Sequence, residues 1–144
     1  MKRVVGGCAL LMLLIGLNVQ AQTPKAGAGG KHHVAFQLSE GDDTAWSALI
    51  LHVNNTMKAL ADDGGVDVEV VFWGPGIDML KKSNAAYEER LKGLSDHGVK
   101  LVACRNAMKF HHLATEDLCE FAGQVDSGIA EIVKKQEAGW AYVH

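Results

Sequence analysis

The sequence lacks several features that define large functional classes. It carries 14 Lys and Arg against 17 Asp and Glu, a formal net charge of −3, so it has no positive excess with which to bind nucleic acid phosphates. After residue 21 no apolar run is long enough to cross a membrane. We therefore expect no nucleic acid partner and, beyond residue 21, no stable membrane span.

Motifs for phosphates and metals are also missing. The break Gly74-Pro75-Gly76 follows a strand pattern but matches neither standard phosphate-loop fingerprint, which favours a tight strand-to-helix turn. Histidines occur as the adjacent pairs His32-His33 and His111-His112, and adjacent side chains point in different directions. A soft-ligand site of Cys104 with His111 or His112 stays open, but the spacing predicts no metal and no cofactor.

The first 21 residues have the pattern of a secretory signal peptide. Lys2 and Arg3 precede an apolar run, residues 4–19, and Val19-Gln20-Ala21 suits a signal peptidase. We predict cleavage after Ala21, which would change the formal charge from −3 to −5, and a periplasmic location; an uncleaved anchor is the alternative. The predicted organisation is a signal peptide at 1–21, a flexible leader at 22–32 and one α/β domain at 33–144.

Strand and helix patterns alternate through the rest of the chain. Residues 46–60 show the clearest helical period, with apolar residues at i, i+3, i+4, i+7, i+11 and i+14. The predicted strands are residues 33–38, 67–73, 99–102, 121–125 and 140–143. Ser83 and Ser127 are predicted helix caps, and Glu131 and Lys135 are spaced for an i, i+4 pair. Alternation of this kind predicts a three-layer α/β/α domain, flavodoxin-like or Rossmann-like, with a mostly parallel sheet of about five strands and helices on both faces.

The segment 97–110 is the candidate functional centre. It reads as a turn at Gly98, a short apolar strand, Cys104 at the end of that strand, and a helix for which Asn106 is the predicted cap. Ligand crevices of open α/β sheets lie at the carboxyl ends of strands. The amino end of the helix, with Arg105 and Lys109, would favour the thiolate of Cys104 over its thiol.

Other interpretations of these residues remain open. His111 is a candidate base near Cys104, and a solvated histidine is the simpler alternative. Cys104 itself could be a buried, inert side chain. Cys119 lies 15 residues further along, and in an exported protein the two cysteines could form a disulfide; otherwise Cys119 is expected to pack in the core.

The order and spacing of several short motifs resemble the DsrE/DsrF-like family, in particular an exported subgroup of it. The resemblance covers roughly residues 33–143. Its motifs are His97-Gly98-Val99-x-Leu101-x-x-Cys104, Ser83-x-x-x-Tyr87, Cys104-x-Asn106, Glu116-Asp117-Leu118, Val125-x-Ser127-Gly128-Ile129-x-Glu131-Ile132 and Gln136-x-x-Gly139-Trp140-Ala141-Tyr142.

This resemblance implies a flavodoxin-like fold, usually in a homo-oligomer, and a cysteine that carries a persulfide in the sulfur-relay members. Cys104 occupies the position of that cysteine. The chain differs from the sulfur-relay members, which work in the cytoplasm, in its export signal, and from the exported subgroup in Ala107, where that subgroup often has threonine. The expected function is sulfur carriage or thiol redox chemistry through Cys104 with a donor or acceptor protein, and the alternative is a binding module in which Cys104 packs or pairs with Cys119.

Overall fold

A computed structural model describes residues 30–144. The predicted signal peptide and nearly all of the predicted leader lie outside the described residues. The strands are β1 His32–Leu38, β2 Val66–Phe72, β3 Lys100–Cys104, β4 Gly123–Val125 and β5 Ala141–Val143. The α-helices are α1 Asp43–Ala59, α2 Ala85–Asp96, α3 Arg105–Phe110 and α4 Gly128–Glu137, and the 3₁₀ helices are Gly74–Leu80 and Thr115–Asp117.

The five described strands form one sheet in the order β4-β3-β2-β1-β5, and every neighbouring pair is parallel. Parallel neighbours need crossover connections, and these contain the helices. The predicted α/β fold with a parallel sheet of about five strands is confirmed.

The two faces of the sheet are covered unequally. Alternate residues of β2, namely Val68, Val70 and Phe72, belong to the large core shared with α1, α2 and α3. The opposite face has a smaller core, in which Val71 packs with Ile132 of α4. This follows from the connections, because β1 to β4 step along the sheet in one direction and the chain returns through α4 to β5.

A buried ion pair helps to hold α4 on its face. Lys135 Nζ lies 2.6 Å from Glu69 Oε2 of β2 and 4.1 Å from the ring centroid of Trp140. The predicted i, i+4 pair between Glu131 and Lys135 is present at 3.7 Å. Because Glu69 is only 4% exposed, its charge depends on Lys135 for compensation.

Three predicted boundaries are wrong in detail. Asn106 does not cap the third helix, because α3 begins at Arg105 and Cys104 itself is the extended N-cap residue. Helix α2 begins at Ala85 after Asn84 instead of at the predicted Ser83 cap. The strand predicted at 121–125 is shortened to Gly123–Val125, since Ala122 N–H is used in a turn to the carbonyl of Cys119.

In residues 30–144 the structure has no helix with both the length and the apolar character needed to cross a membrane.

Candidate functional site

A cavity of about 370 Å³ opens at the carboxyl edge of the sheet. The turn after β2 contributes Trp73, Gly74 and Pro75 to its wall, and Cys104 stands at the end of the adjacent strand β3. Parallel strands end at the same edge, so residues 31 positions apart in the sequence meet there. The volume is in the range of pockets that bind small molecules.

The sulfur of Cys104 accepts a hydrogen bond from the beginning of α4. Gly128 N–H donates to Cys104 Sγ over 3.2 Å. Ser127 caps the ten-residue helix, its Oγ accepting from Ala130 N–H at 3.4 Å. A backbone N–H and the amino end of a helix both favour negative charge on the atom that they face, so α4 is placed to stabilise a sulfur anion.

This approach of α4 to Cys104 requires glycine at position 128. A Cβ there would collide with Trp73 Cε3 and would lie 3.2 Å from Val71 Cγ1 and 3.3 Å from Cys104 Cβ. The absent side chain therefore lets the backbone N–H reach the sulfur while the Trp73 ring packs directly against the helix.

The structure brings some of the predicted site residues together and separates others. Asn106 and His111 line the cavity together with Cys104. Arg105 turns elsewhere, with its guanidinium donating to Asp126 Oδ1 at 3.0 Å and to Gln124 Oε1 at 3.2 Å. Arg105 and Lys109 are both outside the cavity lining.

The described wall of the cavity is mainly apolar. Trp73, Pro75 and Ala107 form much of it, and Phe110 and Ile129 stand at its rim. These two rim side chains are 79% and 68% exposed, which is unusual for large apolar groups that lie beside one opening. The described lining contains no Lys, Arg, Asp or Glu.

Cys119 has a different environment. Within residues 30–144 both cysteines, Cys104 and Cys119, are free, so the disulfide that the sequence left open is not formed in this structure. Cys119 N–H donates to the carbonyl of Leu80 at 2.9 Å. Burial, followed by the nearby charge of Glu88, raises the pKa of the Cys119 thiol.

The predicted histidine pairs lie at two different places. His32 and His33 are at the amino ends of the strands, where they pair with Asp63 at 3.2 Å and Asp67 at 3.4 Å. His111 follows α3 on the cavity side. Among the described residues, no three His, Cys, Asp or Glu side chains are grouped to hold a metal ion.

Sequence analysis missed the residues that complete the cavity from other segments. Gly74 and Pro75 were interpreted as a turn, which they form, but the turn also supplies a wall. Ser127 was correctly identified as a helix cap. Nothing local to that cap shows that Gly128 lies against Cys104 and that Ile129 lines the same cavity, because the crossover through α4 brings them there.

Comparisons with known proteins agree with the fold. A family model described as the DsrE/DsrF-like family matches residues 32–144. The protein of unknown function MTH1491 from Methanobacterium thermoautotrophicum has a similar structure, with a TM-score of 0.69 and 31% identity over 78% of this chain and 98% of that chain. No curated protein matches the chain.

The ychN protein from E. coli has a similar structure too. Its TM-score is 0.58 over 79% of this chain and 97% of that chain, at 9% identity. At this identity the likeness shows the fold alone.

Proposed function

The chain belongs to the DsrE/DsrF-like family, and we propose that it carries sulfur on Cys104, taking a sulfane sulfur from a donor and passing it to an acceptor thiol. The family resemblance found in the sequence is confirmed. That resemblance implies that Cys104 takes the position of the cysteine of the sulfur-relay members, and this correspondence is part of the proposal. The family and its sulfur-relay-related fold are the premise. The reactivity of Cys104 is our proposal.

The proposed chemistry is thiol–persulfide exchange. The Cys104 thiolate attacks the outer sulfur of a donor R–S–SH, a new S–S bond forms as the S–S bond of the donor breaks, and R–S⁻ leaves. Cys104 then carries –S–SH. An acceptor thiolate attacks the outer sulfur in turn and releases the Cys104 thiolate, so the two steps need no external oxidant or reductant.

The observation that carries the proposal is the hydrogen bond from Gly128 N–H to Cys104 Sγ on the wall of the cavity. Attack requires an anionic sulfur with room beside it for the incoming compound. The amino end of α4 supports the anion, and the cavity supplies the room. His111 lines the same space and is the candidate to protonate the leaving thiolate.

Export and self-association are part of the proposal. The signal pattern in residues 1–21 supports cleavage after Ala21 and a periplasmic site of action. Exposed apolar side chains support contact with a second copy of the chain or with a sulfur donor or acceptor protein. Leu51 and Val143, which lie outside the cavity lining, are two of them.

A second candidate is a binding module in which Cys104 only packs. The observation in its favour is that Cys104 is 6% exposed, and buried free cysteine usually behaves as a small apolar residue. The same cavity would then bind a ligand without covalent chemistry.

Intact mass spectrometry distinguishes the two candidates. The full chain is expressed with its leader, purified from the periplasm and incubated with a low-molecular-weight persulfide. We expect a chain beginning at Gln22 that gains the mass of one sulfur atom and loses it on reduction. Cys104→Ser should abolish the gain, and Cys119→Ser is the matched control that should retain it. A free, unmodified Cys104 after incubation would contradict sulfur carriage and favour the binding module.

A further inference from the structure

We propose that the cavity beside Cys104 selects sulfur compounds whose organic group is apolar and uncharged, and that it rejects anionic donors of the thiosulfate type. This inference rests on the proposed function, because it specifies the substrate of the same sulfur. The substrates are persulfides R–S–SH and the corresponding thiols, with R an alkyl or aryl group.

The first argument is the absence of a charge that could hold an anion. None of the described residues that line the cavity is Lys or Arg. A sulfonate that left water for this wall would lose its hydration without gaining a Lys or Arg partner, and the polar side chains of the described lining are limited to Asn106, His111 and Ser127. The one backbone donor shown to face the sulfur, Gly128 N–H, is already bonded to Cys104 Sγ.

The second argument concerns the cations that lie close in sequence. Arg105 follows Cys104 directly, but its guanidinium is held by Asp126 and Gln124 and faces a different groove. Lys109 lies on α3 and is outside the cavity lining as well. The fold thus keeps the two basic residues that flank Cys104 away from the space that a substrate would enter.

The third argument is the exposed apolar rim. Phe110 and Ile129, 79% and 68% exposed, line the same cavity as Trp73 and Pro75. An alkyl or aryl group bound in the cavity would remove its own apolar surface and that of the cavity wall from water. During the exchange the negative charge passes from Cys104 Sγ, which faces Gly128 N–H and the amino end of α4, to the leaving sulfur of the donor, so no charge is placed on the group R.

In the proposed step, the Cys104 thiolate attacks the outer sulfur of the protonated persulfide. The Cys104–S bond to that sulfur forms as the donor bond breaks, R–S⁻ leaves, and the proton stays on the outer sulfur. The group R is in the cavity during this exchange, so its polarity sets the rate.

Methanethiosulfonates R–S–SO₂–CH₃ test this selectivity without requiring sulfur carriage. They convert the Cys104 thiolate into a Cys104–S–S–R disulfide and release methanesulfinate, so R can be varied at constant chemistry. Rates with benzyl and with 2-sulfonatoethyl groups are measured at pH 8, where imidazoles are largely uncharged. The protein is the Cys119→Ser variant, and each rate is divided by that of the same chain unfolded in urea.

We expect the benzyl reagent to be favoured by about tenfold, which corresponds to about 1.4 kcal/mol. Ile129→Lys places a cation at the rim and should lower this preference at least about threefold by accelerating the anionic reagent. Val133→Lys is the matched control. It adds the same charge one turn further along α4, at a side chain that is also exposed and is outside the lining, and it should leave the preference unchanged. Both variants must have the same oligomeric state as the parent, which native mass spectrometry measures.

Equal normalised rates for the two reagents would overturn the inference, as would equal effects of Ile129→Lys and Val133→Lys. The proposed function fails separately. In that case Cys104 reacts with the methanethiosulfonates but gains no sulfur from a persulfide.

Discussion

Cys104 and Cys119 are almost equally buried, at 6% and 2% exposure, and differ in what surrounds the sulfur. Cys104 Sγ accepts a hydrogen bond from Gly128 N–H and lies on the wall of a cavity. Cys119 packs near Leu80, and burial raises the pKa of its thiol. Their exposed fractions alone would therefore not distinguish the two cysteines.

From this difference we expect the groups around each sulfur, more than the exposed fraction of the residue, to determine the reactivity of the thiol. One sulfur is at the end of a parallel strand, where a helix begins and the crossover brings a second helix terminus to it. The other is in the loop before β4, where the backbone N–H of Cys119 bonds to the carbonyl of Leu80. Predictions that alter one environment and leave the other intact can test this difference.

The largest expected effect is in alkylation of the folded protein. With iodoacetamide at pH 8, Cys104 should react more than about a hundredfold faster than Cys119. Cys119 becomes accessible mainly through opening of the fold, which a stability of even about 5 kcal/mol makes rarer than about one molecule in a thousand. Peptide mapping after timed quenching measures both rates, and the urea-unfolded chain is the control. Similar rates at the two sites in the folded protein would break the comparison.

An intermediate effect is expected from Gly128→Ala. The added Cβ would collide with Trp73 and press on Cys104, so either α4 or the indole must move. We expect a loss of about 1–3 kcal/mol in the free energy of unfolding and slower alkylation of Cys104, with Cys119 still protected. Urea unfolding and the alkylation assay measure the two effects.

Gly93→Ala is the control for this substitution. Gly93 lies inside α2, and a Cβ there meets nothing within 4 Å. We expect a gain of about 0.5–1 kcal/mol from the better helix former and an unchanged alkylation rate at Cys104. If Gly128→Ala lowered neither the free energy of unfolding nor the alkylation rate of Cys104, the inferred close contact between α4 and Cys104 would be wrong.

The smallest expected effect is the contribution of Cys119 to the pH dependence of the free energy of unfolding. Its thiol has a pKa raised above the usual 9.0 in the folded state, so the unfolded chain ionises first. The contribution of this thiol to stability is complete below pH 9.0 and is lost as the pH rises from there through the folded pKa. Cys119→Ala should therefore lose less stability between pH 8 and 10 than the parent, whereas Gly93→Ala, which removes no titrating group, should have the same slope as the parent. Urea unfolding at a series of pH values measures these slopes.

Much of the fold was predictable because its signals are local. The helical period of residues 46–60 and the β-branched run of residues 67–73 follow from side chains a few positions apart, and both elements are present as α1 and β2. Boundaries were less certain. The start of α3 depends on how the chain leaves β3 at Cys104, and the Asn106 side chain alone does not determine it.

The candidate site was predictable only in part. Cys104 at a strand end, Asn106 in the following helix and His111 directly after that helix could be located from sequence, and all three line the cavity. The sequence predicted that Arg105 favours the thiolate of Cys104. It could not show that Asp126, 21 residues away, binds the guanidinium instead. Trp73 and Ile129 were missing from the predicted site because no local pattern relates them to Cys104.

The sequence by itself determined the alternation of strands and helices, the family, and the position of a cysteine at a strand end. Only the tertiary structure decided which backbone N–H meets the sulfur, which cations turn away, and that the cavity wall is apolar. The physical reason is that periodicity and capping act over a few residues. The contacts among Trp73, Cys104 and Gly128 depend on the parallel pairing of β2 with β3 and on the return of the chain through α4.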